Sequence, residues 1–158
     1  MSKVLVTYFS ASGVTAGVAK KLANAIKADI FEIKPEKLYT QADLDWKNSA
    51  SRSSVEMKDK SCRPAIAERC ENMSDYSVIF IGFPIWWYRE PSIIDTFLES
   101  YEFTGKTIVP FCTSGGSGMG ETEKNMQSVV KNGRVTVGKR FEMSVSEEAL
   151  GNWAKGFI

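Results

Sequence analysis

Apolar residues along this chain fall into two alternating patterns. Short unbroken runs, such as VLVTYF from Val4 and SVIFIGF from Ser77, are the signature of strands covered on both faces of a parallel sheet. Between them, apolar positions recur at three- and four-residue spacing; Val14, Val18, Leu22, Ala25 and Ile26 form one such stripe. The pattern predicts strands at Lys3–Phe9, Asp29–Lys34, Ser77–Phe83, Thr107–Cys112 and Arg134–Met143. It predicts helices at Val14–Ala28, Pro64–Met73, Pro91–Tyr101, Glu121–Lys131 and Ser146–Phe157. Strict alternation of this kind means βαβ units with right-handed crossovers, hence a doubly wound five-stranded parallel α/β sheet.

One segment breaks the rhythm. Residues Pro35–Arg63 connect the second strand to the next helix and carry Tyr39, Leu44 and Trp46. A connection of that length inside a compact domain is functional, mobile, or an excursion packed on its own aromatics. The three aromatic and aliphatic side chains suggest that it folds onto something.

Composition narrows the class. A chain of 158 residues suits one domain, 1–158, with a sizeable core, and 43% hydrophobic against 25% charged residues is an ordinary globular balance. Twenty Lys and Arg against nineteen Asp and Glu leave +1, which is no footprint for nucleic acid. The start has no signal-peptide pattern, and no stretch approaches the roughly 18 apolar residues of a membrane span. Cys62, Cys70 and Cys112 form no CxxC pair and the chain has no histidine, so zinc spacings fail and a cytoplasmic location with reduced thiols is expected. The sequon at Asn72 then has no meaning.

In a doubly wound sheet, ligands sit beyond the carboxyl ends of the strands. The loops expected there read SASGVT, PIWWYRE and TSGGSGMG. In the first, a helix N-terminus with Ser10, Ser12 and Thr15 around Gly13 can hold a phosphate without any cation, although Ser12 or Thr15 as a simple helix cap explains the same residues. In the second, Trp86, Trp87 and Tyr88 follow a buried strand and Pro84, and three consecutive large aromatics cannot all enter the core. In the third, Gly115, Gly116, Gly118 and Gly120 permit close backbone approach to a ligand. Its order is not the dinucleotide G-x-G-x-x-G and it follows the fourth strand. TGKT at Thr104–Thr107 lacks the upstream glycine of a Walker loop, that position being Ser100. The aspartate of a receiver domain is replaced by Phe83-Pro84.

Taken together and in this order, the three loops resemble the flavodoxin family, in particular a branch with the pattern YFS-x-[ST]-G-x-T, P-I-W-W and TSGGSG, over essentially the whole chain. The resemblance implies a flavodoxin-like three-layer sandwich of strand order 2-1-3-4-5 and noncovalent FMN. It implies that Ser10, Ser12, Gly13, Val14 and Thr15 hold the phosphate. Pro84, Ile85, Trp86, Trp87 and Tyr88 would border the isoalloxazine, and Thr113, Ser114, Gly115, Gly116 and Gly118 its other edge. Two departures stand out. Electron-carrying members are acidic, and this chain is neutral. Members often carry a glycine beside the flavin N5, and PIWWYRE has none, so a peptide flip needing positive φ is penalised and a half-reduced flavin is expected to be poorly stabilised.

Three functions follow as expectations. One is an electron carrier serving a redox partner protein. Another is an FMN-dependent NAD(P)H:quinone-type reductase, with the 35–63 excursion as a substrate wall and Arg52 or Arg89 as anchor for an anionic group. The third is a binding module that has lost redox use. Water, Tyr88, Tyr39 or Glu90 would supply protons. Cys112, closing an apolar strand, reads as an inert buried thiol, and a homodimer in which the excursion caps a neighbour's site is open.

Overall fold

The computed structural model describes residues 3–114 and 116–158. Strands β1 (Lys3–Tyr8), β2 (Asp29–Glu32), β3 (Tyr76–Pro84), β4 (Thr107–Thr113), β5 (Arg134–Val135) and β6 (Lys139–Phe141) form one sheet. Its order is β2-β1-β3-β4-β5, with β6 also on β4, and every pairing is parallel. This is the α/β strand order that the flavodoxin resemblance implied. Helices α1 (Val14–Ile26), α2 (Arg52–Lys58), α3 (Ser92–Glu99), α4 (Thr122–Val129) and α5 (Glu147–Ala154) complete the chain.

Side-chain alternation along the strands explains the three layers. Leu5, Ile79, Ile81 and Ile108 point to a core shared with Ile93, Ile94 and Phe97 of α3 and Met126 of α4. Their neighbours Val6, Phe80 and Val109 point the other way, against Val18 and Leu22 of α1 and Leu150 of α5. Both faces are therefore covered, and most central strand positions are apolar.

Gly82 of β3 pairs with Phe111 of β4, whose fully buried ring lies across it; a Cβ there would stand 2.3 Å from two ring carbons. Gly82→Ala is therefore expected to destabilise by about 1–3 kcal/mol through overpacking, read as a lower denaturant midpoint at unchanged slope.

Two elements differ from expectation. The fifth strand is broken into β5 and β6, and the register slips from Ile108↔Val135 to Phe111↔Lys139. The break falls beside Pro110, which has no N–H for a ladder, and Gly138 is pressed so close that a Cβ would meet the Pro110 carbonyl at 2.5 Å. The helix expected at Pro64–Met73 does not form. Ile66 instead bridges Pro35, and Glu36 and Ala67 exchange backbone bonds across that bridge with Ala65 and Lys34 (2.9 and 2.8 Å). A strand-like tertiary partner overrides helix propensity there. The helix lies earlier, within the excursion: α2 is capped by Ser51, whose side chain accepts from the Ser54 N–H, and braced by the Arg52–Glu56 pair at 2.9 Å.

Among the described residues, no helix is long and apolar enough to cross a membrane.

Candidate functional site

At the carboxyl end of β1 the chain turns through Gly13, at φ 95°, into α1. Ser10 Oγ accepts the Gly13 N–H at 3.1 Å, which curls the loop. No side chain caps α1 and its first turn holds no acid, so its amide end remains open to an anion. The simple-cap reading of Ser12 and Thr15 is thereby overturned. Ser12 is exposed at the loop surface, whereas Thr15 is buried, its hydroxyl 2.7 Å from that of Thr113 at the end of β4. That contact locks the first and third loops together.

After β3 the chain makes a two-residue hairpin. Trp86 and Arg89 exchange backbone bonds of 3.1 and 3.2 Å, and the central Trp87 and Tyr88 both have positive φ, 49° and 63°. This is the backbone of a type I′ turn, a conformation usually given to Asn-Gly. The penalty expected of bulky residues at positive φ is borne here by Trp87 and Tyr88 themselves. The strain is held by a partner: the Glu121 N–H donates to the Tyr88 carbonyl at 2.9 Å, and Gly120, itself at φ 57°, leaves that carbonyl room. One aromatic turns inward, Trp86 packing edge-on against Phe9 and Tyr39 at 5.6 and 5.5 Å. Trp87 and Tyr88 turn outward, 44% and 70% exposed.

These loops open on one cleft of about 1210 Å³. Ser12 and Val14 contribute from the first loop, Pro84 to Tyr88 from the second, and Thr113, Ser114 and Gly116 from the third. Ser10, Gly13, Thr15 and Gly118 lie outside the lining, and Gly115 lies outside the described residues. Two further walls line the same space: Leu44, Trp46 and Ser53 from the excursion, and Arg140 to Met143 at the end of the sheet.

A family model described as Flavodoxin matches residues 3–157. The chain belongs to the flavodoxin family. A Bacteroides eggerthii protein assigned as a flavoprotein is 46% identical over 99% of this chain and 98% of its own, with TM-score 0.90. A similar assignment from Bacteroides uniformis has 46% identity over 98% of each chain and TM-score 0.89. A Lactobacillus acidophilus flavoprotein in complex with FMN shares the fold at 21% identity, TM-score 0.70, over 98% of this chain and 99% of its own. No curated protein matches this chain in sequence at a significant level.

In this flavodoxin-family chain the two arginines expected to anchor an anion do other work. Arg52 stacks over Tyr39, 3.8 Å from its ring centroid, and bonds Glu56 and the Lys37 carbonyl. Arg89 is buried beneath the aromatic turn, bonded to the carbonyls of Glu90 and Met57 at 3.1 Å and 3.8 Å from Asp95. Tyr39, half-buried and donating to Glu56, has its phenol pushed far above the usual range, chiefly by desolvation, so it is no proton source near neutrality. Burial pushes the Cys112 thiol up to about 12, in keeping with an inert core cysteine.

The cation that does line the cleft is Arg140, which the sequence reading missed. Its Nε and Nη2 donate to Oγ and O of Ser114 at 2.9 and 3.0 Å, fixing the start of the glycine loop. Only the break in the fifth strand brings it there, and no local motif marks it. Ser53 was hidden likewise in a serine-rich stretch.

Proposed function

We propose that this chain binds FMN noncovalently and works as a redox protein through it. The observation that carries the reading is the meeting, in one cleft, of an uncapped helix N-terminus, an outward aromatic turn and the start of a glycine loop. Ser12, Gly13, Val14 and Thr15, with Ser10 shaping the turn, take the phosphate at the open amide end of α1. Pro84, Ile85, Trp86, Trp87 and Tyr88 form one border of the isoalloxazine. Thr113, Ser114, Gly116 and Gly118 form the other, and Gly115 is assigned with them from its place in the loop. Bound flavin would supply the electron chemistry; the chain supplies position, an aromatic border and the Arg140 guanidinium on the cleft wall.

For the partner, one reading is an electron carrier docking a redox protein. The size of the cleft and its excursion wall favour the second, a two-electron FMN-dependent reductase drawing on NADH or NADPH.

The test is titration of apoprotein with FMN, followed by quenching of flavin fluorescence. Wild type is expected to bind in a one-to-one ratio, and the double variant Ser12→Ala, Thr15→Ala to lose about 1–3 kcal/mol for each donor contact removed. Unchanged affinity in the double variant overturns the phosphate assignment. Anaerobic addition of NADPH or NADH then separates the two readings: prompt bleaching of the flavin band supports the reductase, and bleaching by dithionite alone supports the carrier.

A further inference from the structure

We propose that Arg140 sets the electrostatics of the cofactor site: its guanidinium favours the reduced, negatively charged form of the flavin over the oxidised form, and Glu142 opposes it. The inference rests on the FMN reading above and adds to it which residues of this chain answer the charge that reduction creates.

Charge is scarce on this cleft. Among the described residues lining it, Arg140 is the one cation and Glu142 the one acid; the other walls are apolar, aromatic, hydroxyl-bearing or glycine. Any preference of the lining for a charged ligand over a neutral one is therefore concentrated in this pair. Reduction creates that distinction. Two electrons from the donor and one proton from solvent convert the neutral oxidised ring system into one carrying a single negative charge.

The two charges are not held alike. Arg140 stands on β6 opposite Cys112 of β4, and its Nε and Nη2 donate to Oγ and O of Ser114 at 2.9 and 3.0 Å. Those bonds fix the guanidinium against the loop assigned to one border of the ring. They use two of its five N–H groups, and no bond among the described residues takes the two hydrogens of Nη1. Glu142 lies 3.7 Å from Nη1, and its side chain is 68% exposed against 27% for Arg140. Water screens the carboxylate more than the guanidinium, so the cleft keeps a net positive field. A cation already fixed in place needs no reorganisation when negative charge appears before it, which makes its effect on the reduced form large.

The experiment is measurement of the midpoint potential of FMN-loaded protein against a reference dye at pH 8, under anaerobic reduction by dithionite. Affinity for oxidised FMN is measured beside it. The potential reports the ratio of affinities for the two forms, so a variant that only loosens the loop weakens both and leaves the potential unmoved. Arg140→Met is expected to lower the ratio of reduced to oxidised affinity about 10-fold, the low end for a charge-assisted contact, which is a potential about 30 mV lower for two electrons. Glu142→Gln, at an exposed position, is expected to shift the ratio the opposite way by about 2–5-fold, the range of an exposed ion pair. Arg140→Lys keeps the charge without the fork to Ser114 and should lie nearer to wild type than Arg140→Met does. A potential that Arg140→Met leaves unmoved overturns the proposal, as do shifts of the same sign in Arg140→Met and Glu142→Gln. Arg140→Lys matching Arg140→Met overturns it as well, because the bonds to Ser114 and not the charge then govern the potential. A wild-type chain that binds no FMN is the distinct result that removes the cofactor reading, and this inference with it.

Discussion

Gly120→Ala is expected to destabilise the protein by about 2–4 kcal/mol and to weaken FMN binding at least about 10-fold. Two costs combine. An alanine at φ 57° sits in the left-handed region, at about 1–2 kcal/mol. Its Cβ would stand 2.1 Å from the Tyr88 oxygen and 2.9 Å from the Tyr88 carbonyl carbon, which is backbone and cannot swing aside. The carbonyl must move, and the Glu121 N–H bond of 2.9 Å that holds the strained Trp87-Tyr88 turn is lost with it. Gly118→Ala is the control for folding, since a Cβ there meets open space and no positive φ is involved. Thermal melts of the two apoproteins, with FMN titrations beside them, decide the matter. If Gly120→Ala melts with Gly118→Ala and binds FMN normally, the turn is not held by this contact.

The stability of the apoprotein is expected to fall as the pH rises from about 6 to 9, and Glu90→Gln to remove most of that fall. Glu90 follows the aromatic turn and is fully buried, and neither carboxyl oxygen has a hydrogen-bond partner. Burial first, and then the Asp95 carboxyl beside it, push its pKa from 4.5 up to about 9, against the opposing pull of Arg89. Asp95 is raised as well, chiefly by burial, while Arg63 and Arg89 lower it and Glu99 adds to the rise.

The native state therefore keeps a proton that the unfolded chain has released above pH 4.5. Stability is fully present below that value and is lost as pH climbs through the folded pKa, at most about 1.4 kcal/mol per pH unit for one proton. Glutamine keeps the shape and cannot ionise. Denaturant midpoints of both proteins at pH 6, 7.5 and 9 provide the check, and a flat wild-type profile would show that the site holds no buried proton. Because Arg89 also ties Met57 at the end of α2 to Ser92 of α3, ionisation at Glu90 should loosen the excursion before the sheet.

Near-continuous apolar runs and one helical stripe were enough to call a doubly wound parallel sheet, because a parallel strand buried on both faces can be written in few other ways. The three loops that line the cleft were legible for a related reason. A helix entry rich in hydroxyls, an aromatic run at a strand end and a cluster of glycines each leave a local mark, and the topology puts strand ends together. What propensity misread was Pro64–Met73. Nothing within those ten residues reveals that Ile66 will bridge Pro35, a contact 31 positions away that outweighs a preference for helix.

The chain's own pattern thus determined the layers, the parallel sheet and the three loops, since each follows from residues close in sequence, while the strand order came from the family resemblance those loops carry. Tertiary structure alone decided the rest. A backbone bond from Glu121 lets Trp87 and Tyr88 occupy a turn that local preference disfavours. The interruption beside Pro110 carries Arg140 to the glycine loop. The packing of Tyr39 on Phe9 and Trp86 draws the excursion inward, placing Trp46 and Ser53 on the cleft. Each of these depends on residues far apart in the chain, whose pairing becomes energetically visible only when the sheet brings them within reach.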